Sequence, residues 1–305
     1  MQAITQQLCM ELDNEINHKK YRYLFVDSLA IVSELDFLHI DNLTLLLGSD
    51  AIATLARPDL SHSPEICPKL ITIAKPHQNL DEALINFSVV QAAQELNRTK
   101  RYICSWIVSD HPAKIITEQF IKIGLAIESR RKSDFIPIFE PFRFQLLHES
   151  NQESQFGLSS ISNFCDYYYL NLNSTLQVVY QNTSLPTMND ILITKTASFY
   201  QQNSREIFQL YASWQRYCQE TQQIVMPDTL MNVAQVFYRA HNAGLTDSAD
   251  HAIFSLMTLR YGNLLTENKL QQAINNAIKK PGTLAAEFKL IDRQIFLDLS
   301  YNAKG

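Results

Sequence analysis

Two hydrophobic periods divide this chain, and the change from one to the other limits its fold more than any other feature. Up to about residue 180, short apolar runs alternate with segments whose apolar residues recur every three or four positions. Beyond that only the longer period remains. Alternating strands and helices predict an α/β lobe, a mixed sheet with flanking helices. The later part predicts an all-α lobe with short connections. The expected units are 1–185 and 186–305. Asn182 to Asp190, which contains Thr, Ser, Pro and Asn, reads as the linker.

In the first part, Ile4, Leu8, Leu12 and Ile16 form the stripe of an opening helix. Tyr23 to Val26, Lys69 to Ile73 and Tyr102 to Val108 read as strands. The last is apolar at nearly every position, as a strand covered on both faces should be. Leu29 to Leu38 has helical spacing, and Asn79 with Glu82 resembles a capping box for the helix through Leu84. Pro112 opens a further helix that Gly124 should stop. Leu125 to Ile127, Phe135 to Phe139 and Tyr167 to Asn171 read as strands, with Thr175 to Tyr180 pairing back as a hairpin. The three tyrosines 167 to 169 alternate between faces, so at least one face of that strand is aromatic, through core packing or through exposure. In the second part Ile191 to Tyr217 reads as one long helix or a broken pair. Helices from Pro227, from Thr246 or Asp247, from Thr266 and from Leu284 follow.

Composition excludes several classes. A 46% hydrophobic and 19% charged chain can build a full core. Through Asp190 there are 15 basic and 22 acidic residues, net −7; from Ile191 there are 11 and 9, net +2. A nucleic-acid binder is usually strongly basic, so none is expected as a partner. The dense basic clusters, Arg98-Thr-Lys100-Arg101 and Arg130-Arg131-Lys132, fall where solvated turns are expected. Five widely spaced cysteines show no zinc spacing and suggest a reducing, cytoplasmic setting. Glu11, Asp13 and Glu15, with no apolar core nearby, argue against a signal peptide, and no apolar run is long enough for membrane insertion.

No two of the seven glycines lie closer than 18 residues apart. Dinucleotide fingerprints, phosphate loops and nucleophile elbows all need clustered glycines, so none is present, and no cofactor is implied. The histidines are scattered. His111 beside Asp110 reads as a helix-start residue or an acid/base pair; His241 and His251 fall on adjacent helices without a carboxylate to complete a metal set. Asp27, at the end of a buried strand, is the best lone carboxylate, either capping a turn or serving a site there.

Several stretches, in order, carry a resemblance. Tyr21-Arg-Tyr-Leu-Phe-Val-Asp27, Pro68-Lys-Leu-Ile71 and Trp106-Ile-Val-Ser109 with the helix to Gly124 come first. Ile136-Pro-Ile-Phe-Glu140-Pro141-Phe-Arg-Phe144 and Phe156-Gly157 follow. Ala240-His-Asn-Ala-Gly-Leu-Thr246 and Met257-Thr-Leu-Arg-Tyr-Gly262 close the series. Together they resemble the type VI secretion effector adaptor (chaperone) family of bacterial proteins. Its most recognisable motif reads Phe-Arg-Phe-Tyr-Asp-Pro-Arg-Val-Leu before a helix. Here Glu140 replaces the Asp, Pro141 is retained, and Pro137 stands for the first Arg. Phe142 holds the second Arg position, with Arg143 one residue later.

The resemblance implies a cytosolic adaptor and not an enzyme. Its function would be protein binding: it would hold a cognate effector protein and load it onto the VgrG spike. It also places the protein-binding residues at Glu140, Phe142, Arg143 and Asp27. Two other classes stay open on the residues alone. One is a hydrolase-like enzyme using Asp27 and a distant His; the other is a structural module of a secretion complex.

Overall fold

The structure, a computed structural model, describes residues 1–127, 135–150, 161, 163–182, 194–226 and 229–302. Arg130 to Lys132, Phe156-Gly157, Pro227-Asp228 and, past Asn182, the expected linker lie outside the described residues. The chain divides into two units, Met1–Gln202 and Asn203–Gly305.

Among the described residues the first unit is built on six strands, β1 Tyr21–Val26, β2 Ile52–Thr54, β3 Lys69–Ala74, β4 Ile103–Ser109, β5 Asp166–Leu170 and β6 Leu176–Val179. They lie in the order β2-β3-β1-β4-β5-β6, and every pairing is antiparallel. The α/β class holds, but the described strands form an antiparallel sheet, not a mixed one. Near-continuous apolar runs report that both faces are covered; they carry no information about strand direction.

Each strand sends alternate side chains to two separate cores. Tyr23, Phe25, Leu70, Cys104 and Ile107 meet helix α4 (Ala113–Ala126) through Ile116, Phe120 and Ile123. Helix α5 (Pro141–Ser150) adds Phe144 to that core. On the other face Leu24, Val26, Ile71, Trp106 and Val108 meet α1 (Gln2–Leu12), α2 (Ile40–Leu47) and α3 (Glu82–Gln94). The tyrosine strand obeys the same alternation: Tyr167 and Tyr169 enter the first core, Tyr168 the second. All three are buried, so the aromatic face is packing, not exposure.

Four local readings need correction. Leu29 to Leu38 is a run of turns, and the helix there begins at Ile40. The cap of α3 is Asp81, whose Oδ1 accepts from the backbone of Ala83 and Leu84. Helix α4 runs past Gly124 to Ala126, so Leu125 to Ile127 is not a strand. Gly124 is there for space: a Cβ would stand 2.3 Å from the Phe135 ring and 2.8 Å from the Ile136 carbonyl. Phe135 to Phe139 is not a strand either. It is an irregular segment hung on α4 by the Ile136 N–H to the Gly124 carbonyl, 3.0 Å, with its rings packed beside Phe25.

Helix α6 (Lys195–Gln202) belongs to the first unit, where it packs with α5. The second unit is helical: α7 Ser204–Glu220, α8 Thr229–Asn242, α9 Ser248–Tyr261, α10 Asn268–Lys279, α11 Leu284–Lys289 and α12 Arg293–Asn302. The stretch read as one helix or a broken pair is broken at Asn203. Asp247 caps α9 through the N–H groups of Ala249 and Asp250. Glu267, not Thr266, caps α10. Asp250, 1% exposed, accepts from the backbone of Gly282 at 2.7 Å and Leu284 at 2.9 Å, so a buried carboxylate on α9 starts α11.

Candidate partner-binding corner

The strand β1 must end where its neighbour β4 begins, and Asp27 marks the place. Its N–H donates to the Tyr102 carbonyl at 2.8 Å, and its Oδ1 accepts from the Leu29 N–H at 3.0 Å. The residue is fully buried, and its Oδ2 has no hydrogen-bond partner. Lys100, in the connection before β4, brings its Nζ to 3.7 Å from that oxygen. The same ammonium donates to Glu140 Oε1. Glu140 Oε2 in turn accepts from Arg143 Nε at 2.9 Å.

Local geometry explains why Glu140 sits there. Its N–H donates to the Pro137 carbonyl, and its own carbonyl accepts the Phe144 N–H at 2.8 Å, the first bond of α5. Pro141 is the first residue of α5, where its missing N–H costs nothing. One turn on, Arg143 reaches back to Glu140 and across to α6, donating to the Gln201 carbonyl at 2.5 Å. Gln201 answers by donating to the Arg143 carbonyl at 2.9 Å. The result is a chain of alternating charge, Asp27–Lys100–Glu140–Arg143, tied at its far end to α6.

Three of the four expected residues, Asp27, Glu140 and Arg143, belong to this chain. The fourth, Phe142, is 6% exposed and faces inward, so it presents no ring to a partner. The linking residue, Lys100, lies in a basic cluster read as a solvated turn. Only part of that reading holds: Arg98 is exposed, but Arg101 is buried and donates to the carbonyls of Leu96 and Leu170, each at 3.1 Å. Nothing in the sequence pairs Lys100 with Glu140, because the two stand in separate connections. The surface of the corner is offered by Lys100, with its side chain 40% exposed, and Arg143, at 19%.

Burial holds the Asp27 carboxyl above its ordinary value of 3.8. Lys100, the Leu29 N–H and Arg57 pull the other way, while Glu140 adds to the rise. A carboxyl raised in the fold stabilises it fully below the unfolded value and loses that contribution as pH climbs through the folded value. Asp27→Asn keeps the acceptor for Leu29 and removes the ionisation. It should therefore gain stability relative to the parent as pH rises from about 4 toward neutrality. Urea midpoints of the two proteins across that range test this. Curves that stay parallel would mean that Asp27 ionises without cost.

The side chains of His111 and His241 are exposed, and that of His251 is half-buried. His241 and His251 stand edge to face with ring centres 6.1 Å apart, and His251 Nε2 lies 2.8 Å from the Leu245 carbonyl. His111 gives its carbonyl to the Tyr23 hydroxyl. Among the described residues no three His, Cys, Asp or Glu side chains gather where they could hold a metal. Among the same residues no helix is long and apolar enough to cross a membrane. The second unit has an open cavity of about 340 Å³ lined by Trp214, Cys218, Val236, Arg239 and Leu259. No family model, curated protein or solved structure matches the chain.

Proposed function

We propose that this protein is a cytosolic adaptor (chaperone) that binds a type VI secretion effector and loads it onto the VgrG spike. The observation that carries the reading is the Glu140-Pro141 corner. The stretch that most resembles the adaptor signature is also the stretch whose charged side chains join β1, the β4 approach, α5 and α6 into one chain. Lys100 and Arg143 form its exposed side with Glu140 held between them, and there a partner's polar groups can compete for the same donors and acceptors. Asp27, buried beneath, holds Lys100 in place. The charged groups that act on Asp27 are Lys100, Glu140 and Arg57, with no histidine among them, which favours a positioning role over acid–base work.

Glu140→Gln and Arg143→Ala test the reading when each is co-expressed with a candidate effector. Lys100 is partly exposed, so its ion pair with Glu140 contributes about 1 kcal/mol or less. For a unit of this size that corresponds to a melting shift of about 2–4 °C. The expected result is a small shift in melting and loss of effector co-purification. If binding falls only in proportion to stability, the corner is structural. If both variants behave as the parent does, the partner grips another surface.

A further inference from the structure

The segment between β1 and β2 buries some of its large apolar side chains and exposes others. Leu38 and Leu43 are buried in the second core, and the Leu38 carbonyl accepts the Tyr102 hydroxyl at 2.7 Å. Yet Ile31, Leu35 and Leu45 are 92%, 95% and 86% exposed, and Leu46 is half exposed. These are not scattered. The Asn42 amide donates to the carbonyls of Glu34 at 2.9 Å and Asp36 at 2.7 Å, which bracket Leu35. Leu45 and Leu46 follow Asn42 by three and four residues on α2, so they stand over the same spot. Phe37 continues the surface toward α3, where its ring lies 5.0 Å from that of Phe87. A contiguous apolar surface fixed by hydrogen bonds marks a place of contact rather than chance exposure.

Its charge is one-sided. From Ser28 to Ala56 there is no Lys or Arg, and the same stretch carries Glu34, Asp36, Asp41 and Asp50, of which Glu34, Asp41 and Asp50 are exposed. The same holds from Pro76 to Asn97, across α3, where Asp81 and Glu82 are exposed. A second copy would bring the same acids against this face, and an anionic lipid surface would be repelled by it.

We infer that this α2–α3 surface is a docking site for a basic amphipathic helix, whose apolar stripe covers Leu35, Leu45 and the Phe37–Phe87 pair while its Lys and Arg residues meet the acidic rim. Assigning that helix to the effector rests on the adaptor reading; the surface itself does not. Helix-on-surface docking of this kind needs apolar anchors at three- and four-residue spacing, with complementary charge at the edges.

The probe is a synthetic amphipathic helix of Leu and Lys, compared with the same peptide carrying Glu for Lys, by fluorescence anisotropy on the full chain. The protein is expected to bind the Lys peptide at least about tenfold more tightly, and raising salt from about 0.05 M to 0.5 M should weaken that binding. Leu35→Ser with Leu45→Ser should reduce it at least about tenfold without changing melting, since both side chains are in solvent. Glu34→Lys with Asp41→Lys should turn the preference toward the Glu peptide. Glu118→Lys, exposed on α4 against the opposite core, should leave it unchanged. Equal binding of both peptides overturns the inference, as does equal weakening by Glu118→Lys. So does a dimer that Leu35→Ser dissociates, or vesicle binding that the leucine pair abolishes in place of peptide binding. Peptide binding without effector co-purification keeps the docking surface and removes the adaptor assignment. Co-purification that survives the leucine pair, with peptide binding absent, does the reverse.

Discussion

Trp106→Ala is expected to cost the first unit about 3–5 kcal/mol, the largest loss of any single truncation in it. Trp106 is fully buried on β4, two strands in from the β6 edge and three from the β2 edge, and is the largest side chain in the second core. Its Nε1 donates to Ser88 Oγ at 2.8 Å, and the Ser88 hydroxyl in turn donates to the Ile85 carbonyl at 2.8 Å. Removing the indole therefore opens a cavity and strands a hydroxyl that holds α3 against the sheet. Trp106→Phe keeps most of the volume and should cost less. In a double-mutant cycle with Ser88→Ala the coupling should be about 1 kcal/mol. Urea unfolding measures all four proteins. A loss for Trp106→Ala near the surface average of about 0.5 kcal/mol would show that the core closes over the gap.

Arg22→Met should follow, at about 3 kcal/mol, because it removes donors rather than volume. Arg22 is fully buried on β1, beside the Lys20 and Asn17 turn. Its guanidinium donates to the carbonyls of Asn17 at 3.3 Å, His18 at 2.9 Å and Lys20 at 2.6 Å, and also to that of Gln78. One side chain thus joins the turn before β1 to the turn after β3, with Asp13 at 3.5 Å to balance the charge. Methionine fills the space but removes the guanidinium donor from all four carbonyls; Asn17 and His18 keep backbone N–H donors from Lys20 and His77. Arg22→Lys keeps the charge yet lacks the planar fork that reaches both turns, so it should recover only part of the loss. Full recovery by lysine would mean that charge, and not the divided geometry, matters here.

The strands were legible because five of the six follow apolar runs, and the β5–β6 hairpin follows from two such runs around Asn173 and Ser174. Their direction was not, since an antiparallel sheet packed on both faces gives the same apolar runs as a parallel one. β2, three residues long, has too few residues to show a period. Phe135 to Phe139 looks like a strand because it is apolar, but its backbone bonds to the end of α4 and to itself, not to a neighbouring strand. Leu29 to Leu38 has helical spacing because Leu38 must reach the core while Leu35 stays out; turns and the Asn42 amide achieve that without a helix. At the corner, Glu140 and Arg143 were legible as a helix start. Lys100 was not, because an ion pair between two connections leaves no periodic trace. Phe142 was misplaced for a related reason: apolar residues on the first turn of a helix do not announce which side is covered.

The place of β1 in the sheet also sets a schedule. It is made before every other strand, yet it lies between β3 and β4, so both of its partners come later. On a ribosome adding roughly 5–20 residues per second, Tyr21–Val26 waits several seconds for its first edge and longer for its second. During that time an almost wholly apolar strand has neither neighbour, and Arg22 lacks the Gln78 carbonyl that will later fix it. β1 is thus synthesised before the other strands of its sheet, yet neither of its edges can pair until β3 and then β4 have followed.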